Sequence, residues 1–89
     1  MKNLLSHSKA SRVVKQGSAI YNKIRGDYEP HKNGRYLAIE PDTKKVYFGT
    51  TGVDALQKAR RAQSDKFFYL VKIGYDTPDM ILSSVLGRG

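Results

Sequence analysis

The sequence predicts a single α+β domain in which two helices pack on a three-stranded antiparallel sheet. The chain has 89 residues, which is enough for one hydrophobic core only. Apolar residues recur at helical spacing in two segments and at alternate positions in three others, so the elements follow one another as α-β-β-α-β. If the third strand pairs beside the first, the strand order in the sheet is 2-1-3.

The first helix is predicted within residues 8–28, because apolar residues there recur every three or four positions. Gly17 and Ser18 interrupt this pattern, since glycine disfavours a helix interior and serine favours a helix start. Two descriptions fit equally: one kinked helix, or two shorter helices over residues 8–16 and 18–25. The apolar side chains of the pattern are Ala10, Val13, Ile20, Tyr21 and Ile24.

A β-hairpin and a second helix follow. Residues 35–40 (RYLAIE) and 45–50 (KVYFGT) alternate as strands, and Pro41 begins the turn between them. Thr50 or Thr51 then caps a helix that runs to about residue 63, with Asp54 in its first turn. The small residues Ala55, Ala59 and Ala62, together with Leu56, form the buried stripe of that helix.

The third strand, residues 66–75 (KFFYLVKIGY), is largely apolar on both of its faces. It therefore needs cover on two sides, from one helix on each face of the sheet or from a dimer interface. One face of the sheet brings together Tyr36, Tyr47 and Phe68. Those rings resemble a base-stacking platform, although packing under the first helix explains them more simply.

The two ends of the chain are expected to differ from its body. Residues 1–8 are interpreted as a basic flexible arm, residues 9–78 as the α+β domain, and residues 79–89 as an apolar tail. Asp79 has the character of a cap for a short C-terminal helix, and the tail either completes the core or docks onto a partner. The apolar residues of the tail are Met80, Ile81, Leu82, Val85 and Leu86.

The composition argues against catalysis, metal binding and a cofactor. The chain has no cysteine, and its two histidines, His7 and His31, are far apart and have no acidic cluster beside them. No serine lies in a nucleophile elbow, and residues 49–52 (GTTG) lack the spacing and the lysine of a phosphate-binding loop. No enzyme activity and no small-molecule substrate are therefore expected. No apolar run suits a signal peptide or a membrane span, so a cytoplasmic location without membrane contact is predicted.

The distribution of charge is the main indication of function. The net charge is +8, and residues 1–26 contain six basic residues and no acidic one. Such a segment favours contact with nucleic acid or with an acidic protein, because phosphate contacts supply affinity without reading sequence. The candidate binding residues are Lys9, Arg12, Lys15, Lys23 and Arg25.

Two family resemblances follow from the second half of the chain. The blocks GRYLAIE, VYFGTTGVDALQKARRA and FFYLVKIG resemble a family of small bacterial and archaeal domains of unknown function, which supports the fold. The stretch AIEPDTKKVYFGTTGVDALQKARRA is similar to the hairpin and helix of HicB-type antitoxins, with Thr51, Ala55, Leu56 and Ala59 matching. Asp54 replaces the usual glutamate, and the C-terminal DNA-binding segment expected of such antitoxins is not visible in the sequence.

The function expected from the sequence is that of a non-enzymatic module with a basic binding surface. The alternative is an accessory subunit, antitoxin-like or homodimeric, that docks through its apolar tail or through a sheet edge.

Overall fold

The computed structural model describes residues 7–75 and 80–83, with side chains over residues 11–75. Helix α1 (His7–Ile24) leads through one 3-10 turn (Arg25–Asp27) and a loop into the sheet. The hairpin of β1 (Tyr36–Glu40) and β2 (Lys45–Gly49) precedes helix α2 (Gly52–Ala62). Strands β3 (Phe67–Lys72) and β4 (Met80–Ser83) complete the described elements.

The sheet confirms the predicted strand order and adds a strand to it. Its order is β2-β1-β3-β4, and all three pairings are antiparallel. Leu37 of β1 pairs with Phe48 of β2 on one side and with Val71 of β3 on the other. The sequence allows a short C-terminal helix in the tail, and this expectation is wrong over residues 80–83, which pair with β3 as an edge strand. A short apolar segment fits either structure locally, and pairing with β3 favours the strand here.

Helix α1 is continuous through Gly17, which decides between the two descriptions left open by the sequence. Gly17 lies where the helix contacts β3: a Cβ atom placed on it would lie 2.5 Å from both Cβ and Cγ of Tyr69. The glycine therefore permits close packing of helix on strand, and it does not end the helix.

The two helices cover opposite faces of the sheet, as the apolar character of both faces of β3 indicated. On one face, Val13 and Tyr21 of α1 pack against Leu37, Ile39 and Val71. On the other face, Ala55 and Ala59 of α2 pack against Ala38, Phe68 and Leu70.

The rings of Tyr36, Tyr47 and Phe68 share the face under α2. Their expected place under the first helix is wrong, because the strand alternation turns them to the opposite side of the sheet from α1. Phe68 is fully buried, and Tyr47 contacts it edge to face. Phe68 belongs to the core and the two tyrosines pack against that cluster partly buried, so the three rings do not form an open stacking platform.

The β1–β2 turn is built around a buried carboxylate. Glu40, only 2% exposed, accepts hydrogen bonds from the backbone N–H groups of Asp42 and Thr43 and from the Thr43 hydroxyl. These bonds satisfy the buried oxygen atoms of Glu40 and hold the hairpin turn in place.

Candidate nucleic-acid interface

The outward side of α1 carries a row of cations. Val13 and Tyr21 point into the core, and at 100° per residue Arg12 and Lys15 lie on the opposite side of the helix, with Lys23 on the flank nearer the β1–β2 hairpin. All three side chains are exposed, and α1 contains no aspartate or glutamate between its first and last residue. We call Arg12, Lys15 and Lys23 the α1 basic face.

The charges of the α1 basic face are available to a ligand. Within residues 11–75, none of these three side chains forms an ion pair with a carboxylate. At a rise of 1.5 Å per residue, Arg12 and Lys23 lie about 16 Å apart along the helix axis. That length matches about five nucleotides of one strand of duplex DNA at 3.4 Å each. Lys9 also lies in α1, but its side chain is outside the described part of the chain.

Arg25 is separated from this face by its internal contacts. Its Nε atom donates a hydrogen bond to Glu29 at 3.1 Å, and its Nη1 atom donates to Asn22 at 3.0 Å. The guanidinium also lies 5.1 Å from the centre of the Tyr21 ring. The sequence groups Arg25 with the candidate binding residues. In the structure its guanidinium pairs with Glu29 and bonds to Asn22, and these contacts stabilise the C-terminal end of α1.

A small polar cluster joins the end of α1 to the end of β3. The Tyr21 hydroxyl donates a hydrogen bond to Glu29 and accepts one from the backbone N–H of Gly74 at 3.1 Å. Burial, followed by the hydrogen bond to Glu29, raises the pKa of Tyr21. The hydrogen bond from Tyr21 lowers the pKa of Glu29, so the carboxylate stays ionised between Tyr21 and Arg25.

The turn from β2 into α2 uses its amide groups internally. Thr51 caps the helix by accepting a hydrogen bond from the backbone N–H of Asp54 at 3.0 Å. The Asp54 carboxylate in turn accepts from the backbone N–H of Thr50 at 3.0 Å, which lowers the pKa of Asp54. A carboxylate therefore lies where a phosphate would have to bind, and the turn acts as a helix cap.

A second group of cations lies on α2, on the other side of the sheet. Arg60 and Arg61 are exposed on its outward surface. Lys58 is exposed as well, but its ammonium donates a hydrogen bond to the carbonyl of Phe48 at 3.1 Å and lies 3.6 Å from Asp54. Because the two helices lie on opposite faces of the sheet, one straight duplex can contact only one of them. Helix α1 has the longer row of exposed cations, so it is the better candidate.

The remaining sequence candidates are placed as follows. His31 is exposed in the loop before β1, and the side chain of His7 is not described. Among the described residues, no group of three or more His, Asp or Glu side chains is arranged to hold a metal ion. Met80, Ile81 and Leu82 lie in β4, but their side chains are outside the described part, as are Val85 and Leu86 altogether.

Within the described residues, no helix combines the length and the apolar character that crossing a membrane requires. Neither a known protein family, nor a curated protein, nor a solved structure matches the chain significantly. The two resemblances noted in the sequence therefore remain predictions.

Proposed function

We propose that this chain is a non-enzymatic module that binds nucleic acid through the phosphate contacts of the α1 basic face. The observation that carries the proposal is the exposed row of Arg12, Lys15 and Lys23 on a helix without acidic residues. Their unpaired charges lie on a regular element, so their spacing is maintained by the helix and by its packing on the sheet.

The expected mode of binding is electrostatic. Each cation that neutralises a phosphate releases a counterion, so the affinity falls as the salt concentration rises. Contacts of this kind position a protein on a nucleic acid but carry no sequence information. The proposal therefore predicts similar affinities for duplexes of different sequence.

The proposal assigns no catalytic role to the groups with shifted pKa values. Tyr21 and Glu29 join α1 to β3, and Asp54 holds the start of α2. Each shift arises within hydrogen bonds that support the fold, which accounts for these groups without a reaction.

The test is a titration of a fluorescein-labelled duplex, followed by anisotropy at several NaCl concentrations. The variant combines Arg12→Gln, Lys15→Gln and Lys23→Gln. Its plot of log affinity against log salt should be shallower than that of the wild type by about 2.7, at about 0.9 for each lost phosphate contact. Parallel titrations with single-stranded DNA and RNA identify the preferred nucleic acid.

A matched control removes three charges elsewhere: Lys45→Gln, Arg60→Gln and Arg61→Gln. These side chains are exposed on β2 and on the α2 side of the molecule. The control should keep the wild-type salt slope. Equal slopes for the two variants would show that net charge, and not the α1 basic face, produces the binding. Absence of binding by the wild type at low salt would refute the proposed function altogether.

A further inference from the structure

An open groove lies beside α1, between this helix and the β1–β2 hairpin. Helix α1 packs against β3, β1 and β4, whereas β2 packs mainly against α2 on the other face. Part of β2 on the α1 side is therefore left uncovered. The space between this part of the strand and α1 forms a groove of about 560 Å³. The groove runs along α1 from Gln16 to Ile24, which at 1.5 Å per residue is about 12 Å, or two helical turns.

The floor of this groove is apolar. Ala19 is exposed, and Ile20, Ile24 and Val46 are only half-buried, so their methyl groups remain accessible. Phe48 lies on the same face of β2, but Tyr28 stacks on its ring at 6.3 Å and the Lys32 ammonium lies over it at 5.4 Å. The uncovered apolar surface on the α1 side of β2 is therefore confined to the groove.

The charges around the groove are positive. Lys23 of α1 and Lys44 of the hairpin turn line its two sides, and neither pairs with a carboxylate within residues 11–75. Asp42 also lines the groove, but Lys66 lies 3.7 Å from its carboxylate and offsets that charge. A second copy of this chain would bring like charges together, whereas an acidic partner complements the two lysines.

Strand addition at the β2 edge suits this region less well than a helix does. β2 is an edge strand, but the Lys58 ammonium already bonds to the Phe48 carbonyl on it. A peptide that added to this edge would have to displace that contact. A helix lying in the groove needs no backbone bonds to β2, only two or three apolar side chains at helical spacing.

We propose that the groove between α1 and the β1–β2 hairpin binds an acidic amphipathic helix of a partner protein. Apolar residues at positions i, i+3 or i+4, and i+7 of that helix would contact Ile20, Ile24 and Val46. Glutamate or aspartate side chains beside them would pair with Lys23 and Lys44. This partner shares Lys23 with the nucleic-acid binding proposed above, so the two ligands compete for that residue, and the apolar contacts in the groove distinguish them.

The test is a selection from a library of random 16-residue peptides displayed on phage, with the purified chain as target. The groove variant is Val46→Thr with Lys44→Glu, which makes the floor more polar and reverses one flanking charge. The matched control is Val53→Thr with Lys45→Glu. Val53 is 66% exposed on α2, and Lys45 is exposed outside the groove lining. Each double variant thus combines one valine-to-threonine and one lysine-to-glutamate substitution, so their composition and net charge are identical. Circular dichroism verifies that both are folded.

The expected result is enrichment of acidic peptides with apolar residues at helical spacing. Synthetic versions should bind the wild type and the control equally and the groove variant at least about tenfold more weakly. Failure to enrich any peptide overturns the proposal, as does enrichment of peptides that lack acidic residues or that bind the groove variant as well as the control. Duplex binding should be equal in both double variants, because both retain the α1 basic face. Failure of the groove is therefore separable from failure of the proposed function.

Discussion

Gly17 lies where α1 touches β3, and replacing it by alanine tests how closely these two elements pack. In helix propensity alone, Gly17→Ala should stabilise the protein by about 1 kcal/mol. The new Cβ atom would, however, lie 2.5 Å from Cβ and Cγ of Tyr69. Carbon atoms pack at about 3.5 to 4.0 Å, so the helix or the strand must move by about 1 Å. Tyr69 Cβ is next to the backbone, so a change of rotamer does not relieve this contact.

Overpacking of this kind costs about 1 to 3 kcal/mol, which exceeds the gain in propensity. We expect a net loss of about 1 kcal/mol in the free energy of unfolding, or about 4 to 8 °C in Tm for a domain of this size. The assay is thermal and urea unfolding followed by circular dichroism. The control is Gly26→Ala, where the added Cβ meets no atom within 4 Å apart from those of its own local backbone and chain neighbours. This substitution should be neutral or stabilising by up to about 1 kcal/mol. If Gly17→Ala proves as stable as Gly26→Ala, the reasoning about this contact is wrong.

Three further predictions concern polar contacts. Thr51→Ala should lower the free energy of unfolding by about 1 kcal/mol, because the α2 cap is lost, whereas Thr51→Ser should retain most of the cap's stabilisation. Urea unfolding of both variants measures the difference. Tyr21→Phe should cost about 1 kcal/mol, because its hydroxyl bonds to both Glu29 and the Gly74 N–H; denaturant midpoints check this. Asp54 and Glu29 have pKa values below their ordinary 3.8 and 4.5, so their stabilisation is present above pH 4.5 and is lost as the pH falls through their folded pKa values. Asp54→Asn should reduce the loss of stability between pH 5 and pH 2, and an unchanged acid transition would contradict this assignment.

The elements that the sequence predicted well are those with local signals. The hairpin and α2 are adjacent in sequence, and their turn and cap residues act within a few positions of where they stand. For example, the Thr51 hydroxyl accepts a hydrogen bond from the backbone N–H of Asp54, three residues away. The Asp54 carboxylate accepts one from the backbone N–H of Thr50, four residues away. The nearly continuous apolar run of β3 also indicated two covered faces, because apolar residues at successive positions lie on both sides of a strand.

The features that the sequence did not predict depend on distant contacts. Gly17 is explained by Tyr69, which no local pattern connects to it. The role of Arg25 depends on Tyr21, whose hydroxyl bonds to Gly74, 53 residues further along the chain. The groove beside α1 likewise depends on how the helix crosses the sheet. Propensity and spacing do not determine that crossing.

The central position of β1 has a consequence for exchange of its amide hydrogens. Leu37, Ala38 and Ile39 are 0% exposed, and β1 is paired on both sides. Their amides therefore exchange with solvent only when the whole domain opens, and their exchange rates measure the free energy of global unfolding. Amides in the edge strand β2 exchange through smaller openings as well. The exchange rates of these three amides thus provide an internal reference for stability. They separate loss of folding from loss of binding in every variant described above.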